Sequence, residues 1–164
     1  MTGPKTNVAT DAATRTIVVS RTFDAPRDRV FRAYTDPQEL ARWWGPDGWT
    51  TETHAHELQP GGFWHYYMRG PDGMESWGKS IYQEVTPPSR LVYSDAFSDA
   101  EGNMVEGMPV MVITTEFAER DGKTTVTSTT QFASEEDMRE VVEMGVAEGI
   151  TQIWERLAAY LGSA

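Results

Sequence analysis

Cysteine is absent from the chain of 164 residues. Its absence excludes disulfide bonds, thiolate nucleophiles and thiolate ligands to a metal together. Because a chain without cysteine suits a reducing compartment, we expect the protein to be cytoplasmic. The sequence also contains no Gly-x-Ser-x-Gly nucleophile motif and no glycine-rich phosphate loop. We therefore predict no catalytic residue, no metal site and no cofactor.

Long apolar runs are missing as well. No stretch approaches the roughly 18 apolar residues that indicate a membrane-spanning helix. The first fourteen residues, MTGPKTNVATDAAT, lack the apolar segment of a signal peptide. We predict that residues 1–14 form a disordered tail and that residues 15–162 form a single domain.

Positive charge is scarce. The chain has 14 lysine and arginine residues against 25 aspartate and glutamate residues, which gives a formal net charge of −11. Binding to nucleic acid or to an anionic membrane surface needs clustered positive charge, and no run of basic residues supplies it. We therefore expect neither nucleic acid nor a membrane as a partner.

Tryptophan, by contrast, is abundant, with six residues. Five of them lie in predicted helices or strands: Trp43, Trp44, Trp64, Trp77 and Trp154. Large rings on the inner faces of such elements either fill a solid core or form the wall of an apolar pocket. The pattern is typical of a pocket for small molecules, although a filled core would use the same residues.

Turn signals and residue periodicity divide the chain into a strand, two short helices, six strands and a long helix. β-branched residues predict the first strand at 15–23. Asp24 and Asp36 are expected to cap the two short helices, with Glu39 reaching back in a capping box. The further strands are predicted at 50–58, 63–69, 76–85, 90–97, 110–118 and 124–132. Their short connections predict an antiparallel meander.

Residues 135–161 are predicted to form one long helix that Ser134 caps. An apolar stripe runs along it at helical spacing and consists of Val142, Val146, Ile150, Ile153, Leu157 and Leu161. Gly145 and Gly149 lie beside this stripe and indicate a bend or the close approach of a bulky group. Because the sheet can bury its apolar face only against the helices, we predict an α+β fold whose twisted sheet wraps around the long helix.

Four segments carry a resemblance to a known superfamily. They are FDAPRDRVFRAYTDPQELARWWGPDG, PGGFWHYYMRGPDG, EVTPPSRLVY and EMGVAEGITQIWERLAAYL. In this order, and over residues 15–162, they resemble the SRPBCC (START-like) superfamily. More narrowly, they are similar to bacterial stand-alone relatives of the C-terminal domain of the activator of heat-shock protein ATPase.

This resemblance implies the helix-grip fold of the birch pollen allergen. In that fold a seven-stranded antiparallel sheet grips a long C-terminal helix, two short helices follow the first strand, and many members enclose a cavity for lipophilic ligands. The resemblance does not imply one function, because the fold hosts carriers, cyclases, hydroxylase components and co-chaperone domains. One departure is visible at Gly149-Ile150, where the family often has Gly-Trp. Here the ring is found at Trp154 instead.

Alternation along the strands predicts which side chains face the helix. Met and aromatic side chains mixed with small hydroxyls are typical of an adaptable pocket. His65 and Arg69 are expected to face water, and Phe117, Val126, Ser128 and Thr130 to face inward. The candidate ligand-binding residues are Trp43, Trp44, His54, His56, Trp64, Tyr66, Met68, Tyr82, Met111, Ile113, Thr115, Gly145, Gly149 and Ile153.

Some of these positions allow a second interpretation. Strict alternation places Glu52, His54 and His56 on one face of their strand, where two histidines and a carboxylate could bind a metal. An ordinary hydrogen-bonded strand histidine is the simpler interpretation. Tyr82 and Glu84 would likewise share a face and could supply a phenol and an acid to the cavity, unless Glu84 points to water. Residues 104–111 could form a lid over the cavity or merely a variable loop.

Three functional hypotheses follow. The leading one is non-enzymatic binding of a small lipophilic or aromatic ligand in a cavity between the sheet and the C-terminal helix. The first alternative, suggested by the resemblance, is a co-chaperone-like module that interacts with a heat-shock chaperone. The second is a cyclase- or hydrolase-like enzyme acting on a bulky aromatic substrate. The protein is expected to be a monomer or a homodimer.

Overall fold

Antiparallel pairing joins every strand of the computed structural model, which describes residues 6–45, 48–106 and 110–163. In this part of the chain eight strands form one sheet in the order β1-β2-β8-β7-β6-β5-β4-β3. The strands are β1 (Asn7–Asp11), β2 (Thr16–Phe23), β3 (Thr50–His56), β4 (Phe63–Arg69), β5 (Glu75–Thr86), β6 (Arg90–Phe97), β7 (Val110–Arg120) and β8 (Lys123–Phe132). The helices are α1 (Arg27–Thr35), α2 (Pro37–Trp43), α3 (Glu135–Glu143) and α4 (Val146–Ser163). The α+β architecture and the antiparallel sheet are therefore confirmed.

The first strand corrects two sequence predictions. Residues 7–11, assigned to a disordered tail, pair with β2 from Asn7 against Ser20 to Asp11 against Thr16. The sheet consequently has eight strands and not seven. The polar segment NVATD carries no apolar alternation, and its side chains are mostly exposed. Its role is instead to pair the backbone groups of β2, which would otherwise form an open edge.

The connection between β7 and β8 lies where the sequence indicated a turn. Asp121 and Gly122 join β7 to β8, with Arg120 directly opposite Lys123. Both residues of this turn have positive φ, 54° and 76°. That conformation matches the right-handed twist of the flanking strands, and Asp-Gly is one of the sequences that adopt it most readily. The turn signals are accordingly among the most accurate of the sequence predictions.

The starts of the two short helices differ from the capping predictions in part. Asp36 does cap α2, because its carboxylate accepts a hydrogen bond of 2.9 Å from the amide of Gln38. Asp24 does not cap α1, whose N-terminal cap residue is Pro26. Glu39 does not form a capping box. Its carboxylate instead pairs with Arg29 and Arg32 of α1.

The predicted long helix is interrupted. α3 ends at Glu143 and α4 begins at Val146, and Gly145 between them has a φ of +85° that favours glycine. Ser134 caps α3 as predicted, accepting a hydrogen bond from the amide of Asp137. None of the helices in the described ranges combines the length and hydropathy needed to cross a bilayer.

The second half of α4 packs tightly against the rest of the fold. Trp154 and Leu157 are fully buried. The indole N–H of Trp154 donates a 3.0 Å hydrogen bond to the hydroxyl of Tyr34 on α1. The same indole meets the ring of Phe23 edge to face, with 5.8 Å between ring centroids. These contacts fix α4 against α1 and the inner face of β2.

We predict that Tyr34→Phe lowers the free energy of unfolding by about 1–3 kcal/mol, because the buried indole N–H of Trp154 loses its acceptor. Urea unfolding followed by circular dichroism measures the change. Tyr67→Phe is the matched control, since it removes a hydroxyl that bonds Glu52 on the exposed face of the sheet. Its effect should be smaller. Equal effects of the two variants would contradict the anchoring role of this hydrogen bond.

Candidate functional site

A cavity of about 200 Å³ lies between the inner face of the sheet and the first half of α4. Its walls are largely apolar and aromatic. They consist of Ile17, Val19, Tyr34, Trp44, Tyr93, Asp95, Met111, Ile113, Ser128, Thr130, Phe132, Ala147, Gly149, Ile150 and Ile153. The strands β2, β6, β7 and β8 form its floor, and α4 forms its roof.

Small residues on α4 leave the cavity open. Ala147 and Gly149 face it from the roof. A Cβ atom built on Gly149 would meet no heavy atom within 4 Å. The fully buried side chains of Trp154 and Leu157 come later in the helix. Because ridge and groove packing needs side chains on both surfaces, the first half of α4 spans the sheet without filling the space beneath it.

One row of residues, each paired with the next across neighbouring strands, crosses the inner face of the sheet next to the cavity. Directly opposite residues of antiparallel strands face the same side. The row runs through His56, Trp64, Ser80, Asp95, Met111 and Phe132. Asp95 is thus placed in the middle of an otherwise apolar and aromatic wall.

Asp95 is the most informative residue that the sequence analysis missed. Its carboxylate Oδ1 accepts a 3.1 Å hydrogen bond from the hydroxyl of Ser80. Burial raises the pKa of Asp95 from 3.8 to about 6, although hydrogen bonds from Ser80 and from the amide of Ala96 act in the opposite direction. Among the described residues, no lysine, arginine or histidine lies within ion-pair distance of it. Alternation from the inward Leu91 and Tyr93 was the signal that could have found it.

Phenol groups supply most of the remaining polarity around the cavity. Burial raises the pKa of Tyr34, Tyr66 and Tyr93, so these side chains are neutral at physiological pH. Each has a hydrogen-bond partner that acts against the rise in pKa: Trp154 for Tyr34, Trp44 for Tyr66 and Thr115 for Tyr93. The phenols therefore act as neutral hydrogen-bonding groups beside a single carboxyl.

Two smaller voids adjoin the main cavity. One, of about 50 Å³, shares Asp95 and Met111 with it, and the other, of about 20 Å³, shares Tyr34, Trp44 and Tyr93. Gly78 helps to shape the first void, because a Cβ atom there would lie only 2.8 Å from the hydroxyl of Tyr66. The voids extend the cavity toward β4 and β5.

The predicted ligand-binding residues fall into groups. The main cavity is lined by Trp44, Met111, Ile113, Gly149 and Ile153. The smaller voids are lined by Trp64, Tyr66, Met68 and Tyr82. Trp43 and Thr115 are fully buried in the core. Gly145 forms the break between α3 and α4. As expected, Phe117, Val126, Ser128 and Thr130 face the interior.

The two histidines of β3 do not share a face, which corrects the prediction made from strict alternation. A β-bulge lies between Thr53 and Ala55, so that Thr53 and His56 both face the interior. His56 lies 3.2 Å from the hydroxyl of Tyr82. His54 points to the opposite face, with its ring centroid 5.1 Å from that of His65. The metal set proposed from Glu52, His54 and His56 is therefore not assembled.

A second bulge, between Tyr82 and Glu84, separates the proposed phenol and acid. Tyr82 faces the interior opposite Tyr93, whereas Glu84 lies opposite Val92 on the outer face. The carboxylate of Glu84 is exposed and pairs with Arg90 at 3.2 Å. Glu84 thus points to water, the alternative that the sequence left open.

The outer face of the sheet carries its own aromatic cluster of His54, His65, Tyr67 and Trp77. His65, which was expected to face water, is only 3% exposed. Its Nε2 lies 3.0 Å from the carbonyl oxygen of Asp99, so that the loop after β6 covers it. Within the described ranges, no group of three or more potential metal ligands occurs here or elsewhere.

The segment 104–111 was considered as a lid. Residues 107–109 lie outside the described residues, whereas Met104 forms a bridge with Ser98 and Met111 lines the cavity. The lid therefore stays a prediction.

Comparisons with known proteins place the chain among bacterial relatives. The sequence profile of the family described as Activator of Hsp90 ATPase homolog 1-like protein matches residues 24–162. A protein of Arthrobacter aurescens is 33% identical, with 96% of this chain and 92% of that chain covered and a TM-score of 0.91. One of Mycobacterium smegmatis is 33% identical, with 97% of each chain covered and a TM-score of 0.88. No curated protein matches the chain.

We predict that Asp95→Asn stabilises the protein in neutral solution. The pKa of Asp95 is raised on folding, so between about pH 4 and pH 6 the folded state retains a proton that the unfolded chain has released. The wild-type protein therefore loses stability as the pH rises through this window. At about pH 7.5 the variant should gain about 1–3 kcal/mol in free energy of unfolding, and at about pH 4 less than about 1 kcal/mol.

Urea unfolding at both pH values measures this gain. Glu155→Gln removes one carboxylate from the exposed side of α4 and serves as the control, with no such gain expected. A gain for Asp95→Asn of equal size at both pH values would contradict the burial of an ionised carboxyl.

Proposed function

The chain belongs to the family of Activator of Hsp90 ATPase homolog 1-like proteins, with the helix-grip fold, and we propose that it binds a small lipophilic or aromatic molecule without transforming it. The observation that carries this proposal is the cavity of about 200 Å³ between the sheet and α4. Concave, mostly apolar sites with a few polar groups are the usual form of small-molecule pockets.

The volume of the cavity sets the size of the ligand. Apolar cavities of about 150 Å³ in other proteins stay dry and take up benzene. A cavity of about 200 Å³ accommodates one aromatic ring with a short substituent, or two fused rings. The rings of Trp44, Tyr93 and Phe132 offer edges and faces to such a group.

Energetics also favour an occupant. Apolar side chains that line a cavity lack some of the dispersion contacts that a filled core provides. An apolar ligand restores the lost contacts and stabilises the folded state by mass action. A ligand that occupies the cavity would supply the contacts that solid packing provides elsewhere in the core.

The alternatives have less support. For the enzyme hypothesis, Glu84, Tyr82 and the histidines of β3 are the candidate acid and base. Glu84 and His54 lie on the outer face, so that only His56 and Tyr82 of this set meet in the interior. The name of the family refers to activation of a chaperone ATPase, and the co-chaperone alternative stays a prediction. No described surface feature favours it over ligand binding.

We predict that Gly149→Leu abolishes binding of phenethyl alcohol, a neutral aromatic probe. Gly149 lines the cavity and has open space around its Cβ position, so a leucine side chain there would take up part of the volume that the probe needs. Isothermal titration calorimetry of the wild-type protein and the variant measures the loss. The fold should persist, because leucine is a better helix former than glycine by about 1 kcal/mol.

Gly162→Leu is the matched control. A Cβ atom at Gly162 also meets no heavy atom within 4 Å, but this glycine lies exposed near the end of α4 and outside the cavity. The affinity of the Gly162→Leu variant for phenethyl alcohol should equal that of the wild type. Undiminished binding by Gly149→Leu would place the probe elsewhere and contradict the proposed site.

A further inference from the structure

The wall of the cavity holds one carboxyl without a counter-ion. Asp95 faces the cavity, and its hydrogen bonds come from Ser80 and from the backbone amide of Ala96. No basic side chain is among the described residues that line the cavity. An ionised carboxyl in apolar surroundings costs free energy unless a partner with positive charge or hydrogen-bond donors compensates it.

The hydrogen bonds that this carboxyl makes within the fold do not require its charge. Its neighbours across the sheet are Ser80 and Met111, and the neutral amide oxygen of an asparagine could also accept the hydrogen bond from Ser80. Strained or costly ionisable groups in a cleft are typical of functional sites, because they are tuned for a partner that arrives from outside. The missing partner of Asp95 is therefore to be sought in the ligand.

The rest of the cavity wall is suited to a ligand that carries a positive charge. Trp44, Tyr93 and Phe132 present aromatic rings to the cavity, and rings of this kind attract cations. The hydroxyls of Ser128 and Thr130 can accept hydrogen bonds from an ammonium group. The net charge of −11 attracts cations to the protein and repels anions.

We propose that the ligand of this cavity is a lipophilic amine whose protonated nitrogen pairs with the carboxylate of Asp95 while its aromatic or aliphatic body fills the space beneath α4. This proposal rests on the proposed function and specifies the chemistry of its ligand. Anionic ligands of the same shape are excluded, because the cavity offers them no cation and opposes them with Asp95. Neutral ligands of the same shape bind through the apolar wall alone and therefore more weakly.

The pairing makes binding depend on pH. Asp95 has a pKa of about 6, so it loses its negative charge below that pH while an alkyl amine keeps its proton. The titratable groups that surround Asp95 are Tyr34 of α1, Tyr66 of β4, Tyr82 of β5 and Tyr93 of β6, whose pKa values burial raises. These phenols stay neutral throughout the range. The described residues that α4 contributes to the cavity, Ala147, Gly149, Ile150 and Ile153, carry no titratable group.

Among the described residues of the inner face, His56 is a further group whose titration could affect binding. It lies three strands away in the same cross-strand row, and burial lowers its pKa below 6.5, against the opposing charge of Asp36. A pH dependence due to His56 would persist in Asp95→Asn, whereas one due to Asp95 would disappear. The same variant therefore tests both the partner and the titrating group.

The experiment compares three probes of similar shape by isothermal titration calorimetry: phenethylamine, phenethyl alcohol and phenylacetate. At about pH 7.5 the wild type should bind the amine about tenfold more tightly than the alcohol and should not bind phenylacetate measurably. Asp95→Asn should lose this tenfold preference, and a far-UV circular dichroism spectrum equal to that of the wild type shows that the variant is folded. Glu155→Gln, which removes an exposed carboxylate of α4, should behave as the wild type.

Lowering the pH from about 7.5 to 5 should weaken binding of the amine to the wild type by about tenfold and leave binding to Asp95→Asn unchanged. If the alcohol binds but the amine binds no more tightly, or if Asp95→Asn keeps the preference, the amine proposal is overturned while the proposed function stands. If a pH dependence persists in Asp95→Asn, the proposal is likewise overturned. If none of the probes binds to the wild type, both proposals are overturned.

Discussion

The hydrogen bond between Trp154 and Tyr34 is the contact on which the rest of the interior depends. It fixes the second half of α4 at a set height above the sheet, where Leu157 and Phe23 complete the packing. The first half of α4 then spans the sheet at that height, where Ala147 and Gly149 stand beside Ile150 and Ile153 and leave part of the space unfilled. The break at Gly145 frees this half from the direction of α3. The cavity is therefore a consequence of how α4 is anchored and not of loose packing.

The unfilled volume of the cavity and the carboxyl of Asp95 without a counter-ion each lower the stability of the fold, and both occur at the same site. Unfilled apolar space lacks dispersion contacts, and the half-buried carboxylate of Asp95 loses part of its hydration. A core evolved only for stability would remove both, by a larger side chain at Gly149 and a neutral one at Asp95. A single ligand with an apolar body and a positive group compensates both costs at once. This coincidence, and neither feature alone, is the physical argument for a specific occupant.

The sequence predicted well what depends on local periodicity. Alternation placed Trp64 and Tyr66 on the inner face, and the Asp121-Gly122 pair predicted its turn. The predictions from alternation were wrong wherever a bulge adds one residue to a strand, because the side chains beyond the bulge then face the opposite side of the sheet. The bulges in β3 and β5 send His54 and Glu84 to the outer face, and no local signal distinguishes a bulged strand from a regular one. Asp95 escaped notice because an aspartate in a strand is ordinarily a surface residue.

The two bulges also decide what chemistry the interior can perform. Without them, strict alternation would bring a second histidine and a second carboxyl to the inner face beside Tyr82, and the interior would hold several titratable groups. With them, His54 joins the outer aromatic cluster and Glu84 pairs with Arg90 in water. Asp95 is then the single carboxyl that lines the main cavity within the described residues. Recognition of one charge in an apolar enclosure follows from that arrangement more naturally than proton transfer between paired groups does.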